Sequence, residues 1–231
     1  MNFSIESYIS SEEAEQVKQF KYKGGSDSLT YKYIWSPFSE FIIQKMVSRR
    51  IAPNLITVVG FLFLLASHIL TIHAIDYDIS NETILPNWIN YMNAVFMFIY
   101  YTSDNLDGKQ ARRTSSSSPL GMLFDHGLDS ICSWLIGINI GITVLIKSEI
   151  DFMMSIWFIS LVPFFIGTWA QYHVGCLRFG YVNGVDEGLI LVVVVYLISG
   201  ILGNAFWGEE LILGFKRGEA LVFACAMSSV I

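Results

Sequence analysis

Between Asp104 and Asp129 the sequence sets four carboxylates, one arginine and two glycines at fixed offsets. They read Asp104-Asn-Leu-Asp107-Gly108-Lys-Gln-Ala111-Arg112, eight further residues, then Gly121-Met-Leu-Phe-Asp125-His126-Gly-Leu-Asp129. At about 100° per residue, Asp104, Asp107, Gly108 and Ala111 share one narrow helical face, and Gly121, Asp125 and Asp129 share another. A Ser-rich turn, Ser115 to Ser118 followed by Pro119, separates the two runs. A connection that short makes the helices antiparallel neighbours, so both acidic faces can point into one cleft.

Four carboxylates in a low-dielectric cleft cannot all stay ionised alone, because repulsion and desolvation raise their pKa values. Divalent cations resolve the conflict, and hard oxygen ligands suit Mg²⁺ or Mn²⁺, here as two ions. Magnesium keeps waters and takes remaining ligands from substrate phosphates, which points to phosphoryl chemistry.

The elements that must hold this cleft are apolar. The chain is 53% hydrophobic and 15% charged, with mean hydropathy +0.51, too apolar for an ordinary soluble domain of 231 residues. The expected architecture is all-α, a polytopic membrane bundle of about six transmembrane helices with an N-terminal interfacial amphipathic helix. Residues 1–50 read as a polar cytosolic tail followed by that helix, where Tyr31, Tyr33, Trp35, Phe38, Phe41, Ile42 and Ile43 alternate with basic residues from Lys21 to Arg50. Residues 51–231 read as one transmembrane core, its last helix incomplete. Pro53 opens the first span, which ends near Ile75; the second runs from about Trp88 into the acidic motif; the third is apolar from Ile131 to Ile146. Lys147 to Asp151 is expected as a turn, Phe152 to Tyr172 as a fourth span kinked at Pro163, and Gly188 to Trp207 as a fifth, with the sixth from Leu211 onward. The polar loop Asp76 to Asn87 carries the sequon Asn81-Glu-Thr83.

Other features are read as structural. Cys132, Cys176 and Cys225 lack paired ligand spacing and read as packing residues. His68 and His73 lie away from the motif and read as hydrogen-bonded structural side chains. The polar N-terminus contains no cleavable signal. A net charge of −6 argues against a nucleic-acid partner. The acidic spacing lacks the alternate oxygens of an EF-hand, and no P-loop pattern is present. Eleven of the fourteen basic residues fall on the side shared by the N-terminus and the motif, which places the motif in the cytosol and the sequon loop in the lumen.

The spacing D-x-x-D-G-x-x-A-R-x8-G-x-x-x-D-x-x-x-D is matched at all eight specified positions and resembles the signature of the CDP-alcohol phosphatidyltransferase family. The text from Asp107-Gly-Lys-Gln-Ala-Arg-Arg-Thr114 to Phe-Asp125-His126-Gly127 resembles the choline/ethanolamine phosphotransferases within it, as do Lys21-Tyr-Lys-Gly-Gly-Ser and Leu177-Arg178-Phe-Gly180 with Val185-Asp186-Glu187. That resemblance implies transfer of phosphoethanolamine or phosphocholine from CDP-ethanolamine or CDP-choline to diacylglycerol, in the endoplasmic reticulum or Golgi membrane, with CMP released. Asp104, Asp107, Asp125 and Asp129 would hold the metal ions, and Arg112 would clamp phosphate oxygens. Gly108, Ala111 and Gly121 would let the nucleotide approach the helix backbone. Asn54 either caps its helix or borders the nucleotide cleft. For the base that takes the lipid hydroxyl proton, two candidates stay open: His126 oriented by Glu187, or Asp129. Arg178 reads as phosphate ligand or membrane-side charge, and Lys109 and Arg113 as contacts for lipid headgroups. A homodimer is left open.

The resemblance also implies longer chains with further spans after the core. A truncated, non-catalytic membrane protein retaining the fold is therefore the second expectation. An ion-coupled transporter stands behind it, disfavoured because the carboxylates cluster near one membrane face and no internal repeat is visible.

Overall fold

The computed structural model describes residues 10, 12, 15, 24–26, 28–78, 84–146, 148–179, 183, 185–212 and 214–228. Most of the N-terminal tail, the sequon and Lys147 fall outside them. A short strand, β1 (Gly24–Ser26), precedes a turn of π-helix, Tyr31–Trp35, which continues as α1 (Ser36–Lys45). The interfacial helix is thus shorter than expected, and Gly24–Ser26 is extended instead. Its large apolar side chains divide between two sides: Tyr33 and Phe41 are exposed, whereas Trp35 and Ile43 are buried. Trp35 packs edge-on against Tyr101, ring centroids 4.5 Å apart.

Pro53 occupies the first turn of α2 (Pro53–Ala74), where a missing N–H costs nothing. The N-cap is Ala52, without a side-chain bond, so Asn54 does not cap this helix. The longest helix, α3 (Asn87–Arg113), carries the second apolar run and the first half of the acidic motif without a break. It packs against α1, α2 and the later helix Asp186–Leu202. Close approach of α2 requires Gly60, since a Cβ there would lie 2.7 Å from Ser103 Cβ. The Ser-rich turn then reverses the chain, Ser115 adopting φ 55°. Ser118 caps α4 (Pro119–Thr143), its hydroxyl accepting from the Gly121 amide at 3.0 Å.

Beyond α4 the helices are more broken than expected. The turn is shorter than Lys147 to Asp151, because Ser148 caps α5 (Glu149–Ile156) and Glu149 and Asp151 sit in its first turn, where the helix dipole favours them. A π-helical stretch, Trp157–Leu161, leads into α6 (Val162–Val174). That wider turn precedes Pro163, which cannot donate its own helix bond. Gly175 ends α6 in the left-handed region. Strand β2 (Leu177–Phe179) pairs in parallel with β1, and α7 (Asp186–Leu202) follows. The fifth apolar run stops at Gly203 rather than continuing to Trp207, which sits in the short α8 (Ala205–Gly208). Strands β3 (Glu210–Ile212) and β4 (Phe215–Lys216) form a small antiparallel pair before α9 (Arg217–Ser228).

The architecture is all-α apart from these two small strand pairs. Among the described residues only α2 is long and apolar enough to cross a membrane by length and composition. The others fall short for identifiable reasons. α7 has 17 residues, the α5–α6 region is divided by its π stretch, and the second half of α3 is charged. The core between the helices contains Leu64, Met97, Ile136, Ile140 and Tyr196. It also contains a buried polar ring. Ser67 Oγ donates to Asn93 Oδ1 and Asn93 Nδ2 donates to Thr71 Oγ1, both at 2.8 Å, while His68 Nδ1 meets Asn139 Oδ1 at 2.7 Å. His68 is therefore a hydrogen-bonded structural residue.

Candidate active site

The Ser-rich turn between α3 and α4 lets acidic residues of the two helices converge, both helices packing against α2. Asp104, Asp125 and Asp129 each present a carboxylate oxygen, and the three oxygens lie within 4.8 Å of one another. The cluster sits past the apolar part of α3, which ends at Tyr101, and before that of α4, which begins at Ile131. Asp107 stands just outside this trio. It is buried, and its Oδ2 accepts from Thr57 Oγ1 of α2 at 2.7 Å. Tyr100, one helical turn before Asp104, donates to Asp129 Oδ1 at 3.1 Å.

Burial and then the neighbouring carboxylates push Asp104 and Asp107 well above the ordinary carboxylate range, Thr57 opposing the rise at Asp107. Asp129 is pushed up to about 7 by burial and by Asp125, despite its bond from Tyr100. Burial also raises Asp125. One oxygen, Asp125 Oδ1, is buried with no hydrogen-bond partner. An unpartnered carboxylate oxygen beside two more, all hard donors and all destabilised as anions, fits a divalent cation such as Mg²⁺.

The surrounding small residues and cations fall as follows. A Cβ on Gly121 would lie 3.7 Å from Asn54 Oδ1, so Asn54 borders the start of α4 at the cleft. The Arg112 guanidinium lies over Gly108, 3.4 Å from where a Cβ would stand. Arg112 is exposed and pairs with no carboxylate among the described residues. Ala111 is half-buried on the same helix. His126 is half-buried beside Asp125; burial pulls its pKa down, with Asp125 opposing, which keeps the imidazole neutral near pH 7.

Glu187, at the head of α7, has a separate set of partners. Its Oε1 accepts from Ser28 Oγ at 2.5 Å and Thr30 Oγ1 at 2.7 Å, and its Oε2 from the Asn183 amide at 2.9 Å. Burial works against its charge, but these bonds outweigh it and hold the carboxyl below its usual range. Its described hydrogen bonds do not include His126. The backbone of Arg178 lies on β2, paired with Gly25. Lys109 and Arg113 turn away from the cleft: Lys109 donates to Ser36 Oγ at 3.1 Å, and Arg113 Nη1 donates to the carbonyls of Ile43 and, at 2.9 Å, Val47. Both fasten α1 to α3.

Sequence reasoning left Thr57, Tyr100, Ser28 and Thr30 unassigned. The first two carried a signal: Thr57 lies one turn beyond Asn54, and Tyr100 one turn before Asp104, each on the acidic side. The other two carried none, since they meet Glu187 only through the tertiary fold.

Residues 50–199 match the family model for CDP-alcohol phosphatidyltransferase. The chain belongs to the CDP-alcohol phosphatidyltransferase family. Relatives agree with this. The chain is 41% identical over 199 residues to the uncharacterized CDP-alcohol phosphatidyltransferase class-I family protein 3 of Dictyostelium discoideum, covering 86% of this chain and 49% of that one. It is 35% identical over 205 residues to choline/ethanolaminephosphotransferase 1 of Arabidopsis thaliana, covering 88% and 51%. With choline/ethanolaminephosphotransferase 1 of Saccharomyces cerevisiae it shares 33% over 215 residues, covering 93% and 54%. It thus spans about half the length of the curated relatives it matches. The trio Asp104, Asp125 and Asp129 could hold a metal ion, which is consistent with that family.

Proposed function

We propose that this chain transfers phosphoethanolamine or phosphocholine from the CDP-alcohol to diacylglycerol, forming the phospholipid and CMP. The observation that carries this reading is the convergence of Asp104, Asp125 and Asp129, with Asp125 Oδ1 unpartnered. These three, with Asp107 beside them, would hold two Mg²⁺ or Mn²⁺ ions, which when bound supply charge neutralisation at the pyrophosphate. Arg112, which pairs with no carboxylate among the described residues, clamps phosphate oxygens. Gly108, Ala111 and Gly121 leave room for the nucleotide along the two helices, with Asn54 at its edge.

In the transfer step the lipid hydroxyl oxygen bonds to the phosphorus carrying the choline or ethanolamine. The bond from that phosphorus to the bridging oxygen breaks, and CMP leaves with the electron pair. His126 takes the hydroxyl proton, because its imidazole is neutral near pH 7 whereas Asp129 is engaged by Tyr100 and its fellow carboxylates. The Asp125 carboxylate beside it favours the imidazolium formed, whereas Glu187 is bonded to Ser28, Thr30 and the Asn183 amide at the head of α7.

Apolar stripes support a multi-span bundle beyond α2. Trp88, Tyr91, Val95 and Phe98 on α3, Leu191, Val194 and Leu197 on α7, and Phe165, Ile166 and Trp169 on α6 are all exposed at helical spacing. About six spans, with the acidic cleft on the cytosolic face of the endoplasmic reticulum or Golgi membrane, accommodates these stripes and the basic-residue bias.

The test is CMP release by the purified chain with Mg²⁺ and diacylglycerol, run separately with CDP-ethanolamine and CDP-choline. Turnover with either one supports the reading and identifies the head group. Absence of CMP with both, while the chain still binds the nucleotide, leaves the non-catalytic alternative.

A further inference from the structure

The face of α3 opposite the carboxylates is basic. Lys109 and Arg113 lie roughly 140–180° around the helix from Asp104, and between them and α1 lies a groove of about 350 Å³. Glu40, Ile43 and Gln44 of α1 line it, together with Arg49 from the loop that follows and Lys109 and Arg113. Three cations therefore face one carboxylate, and that carboxylate is already engaged. Glu40 accepts from Gln44 Nε2 at 2.6 Å and pairs with Lys109 Nζ at 3.7 Å. Arg113 spends Nη1 on the carbonyls of Ile43 in α1 and Val47 just beyond it, which anchors the guanidinium and leaves its other nitrogens without a partner among the described residues. Arg49 is exposed and pairs with no described carboxylate.

The helix that forms one wall also bears apolar surface. Tyr33 and Ile34 in its leading turn, and Phe41 and Met46 farther on, are exposed, as on a helix lying in the headgroup layer. An occupant that meets both surfaces has a phosphate at one end and acyl chains at the other. We propose that this groove binds the phosphate of an anionic phospholipid headgroup on the active-site side of the membrane, using Arg49, Lys109 and Arg113. The site is distinct from the acidic cleft and stands whether or not the chain is catalytic. The bound lipid would add to the bonds that already hold α1 against α3.

The purified full chain in an uncharged detergent, with divalent ions chelated, is titrated with dioctanoyl phosphatidate, dioctanoyl phosphatidylcholine and inorganic phosphate by microscale thermophoresis. Saturable phosphatidate binding is expected, at least tenfold tighter than phosphatidylcholine or inorganic phosphate. Arg49→Gln, at an exposed loop position, weakens it at least fivefold. Glu40→Gln removes the competing carboxylate and tightens it, a gain that misfolding cannot imitate; Asp125→Asn in the other cleft leaves it unchanged. Equal affinity in the Arg49→Gln variant, or weakening by Glu40→Gln, overturns the site. Inorganic phosphate binding as tightly as the lipid overturns the lipid as its occupant.

Discussion

Two buried polar clusters in this bundle obey opposite rules. Around Ser67, Asn93, Thr71, Asn139 and His68, neutral donors alternate with neutral acceptors, and one helix supplies what another lacks. At the α3–α4 turn, like charges face each other and raise each other's pKa values. The first cluster is complete within the protein and ties α2, α3 and α4 in register. The second is not complete within the protein: its carboxylates are tolerable together only as acids or against a cation. No buried side-chain atom of the first cluster is left without a partner among the described residues, whereas Asp125 Oδ1 in the second is an unpartnered carboxylate oxygen among other carboxylates.

Mutation should separate the two clusters sharply. Asp125→Asn removes a ligand oxygen and several kcal/mol of charge stabilisation, which lowers CMP release about a thousandfold. The same change removes a repelled charge, so the melting temperature measured without divalent ions should hold or rise. Asn93→Ala should do the reverse. It leaves Ser67 and Thr71 without their partner and costs about 1–2 kcal/mol of stability, read in detergent melts, while turnover per folded molecule persists. If Asp125→Asn instead unfolds the chain, the cluster is structural and the contrast fails.

His126→Ala tests what stands beside the acidic cluster. Loss of a general base lowers turnover by about 10²–10⁴, with binding of the CDP-alcohol retained in an equilibrium titration. Robust turnover would transfer the proton to Asp129. A smaller effect belongs to Thr57→Val, which keeps the shape and removes the hydroxyl on Asp107. A bond to a charged group contributes about 1.5–3 kcal/mol, so the Mg²⁺ concentration for half-maximal CMP release should rise about tenfold or somewhat more. An unchanged Mg²⁺ dependence would confine Asp107 to a structural part.

The polar cleft was largely legible in the sequence because its information is local. Asp104 and Asp107 sit on one unbroken helix, Asp125 and Asp129 on the next, and the Ser-rich turn between them permits only an antiparallel return. Helical periodicity then brings three of the four carboxylates to one point. What was illegible depends on distant partners. β1 meets β2 across some 150 residues of chain, and Ser28 and Thr30 reach Glu187 by the same route. The early end of α7 at Gly203 follows from Asn204, whose side chain accepts from Asn90 Nδ2 and donates to the Thr143 carbonyl. A hydropathy pattern sees an apolar run continuing to Trp207, but not the buried amide that interrupts it. That Lys109 and Arg113 also fasten α1 to α3 was illegible for the same reason: those bonds exist only once the helices have packed.

The comparison can be sharpened by pH without any mutation. Asp129 has a pKa near 3.9 when unfolded and about 7 in the metal-free fold. Between those values the folded state binds more protons than the unfolded state, so stability falls as pH rises from about 4 to about 7. Asp104, Asp107 and Asp125 are raised as well and act in the same direction. Above that window Asp129 is anionic, least stable alone and best able to take a cation. Added Mg²⁺ should therefore raise the melting temperature by a few degrees at pH 8 and leave it unmoved at pH 5, where protons already hold the site. The Asn93 amide carries no titratable proton in this range, so Asp125→Asn should shrink this pH-dependent Mg²⁺ response and Asn93→Ala should leave its shape intact. A Mg²⁺ response equal at both pH values would mean that the ion binds somewhere other than these carboxylates.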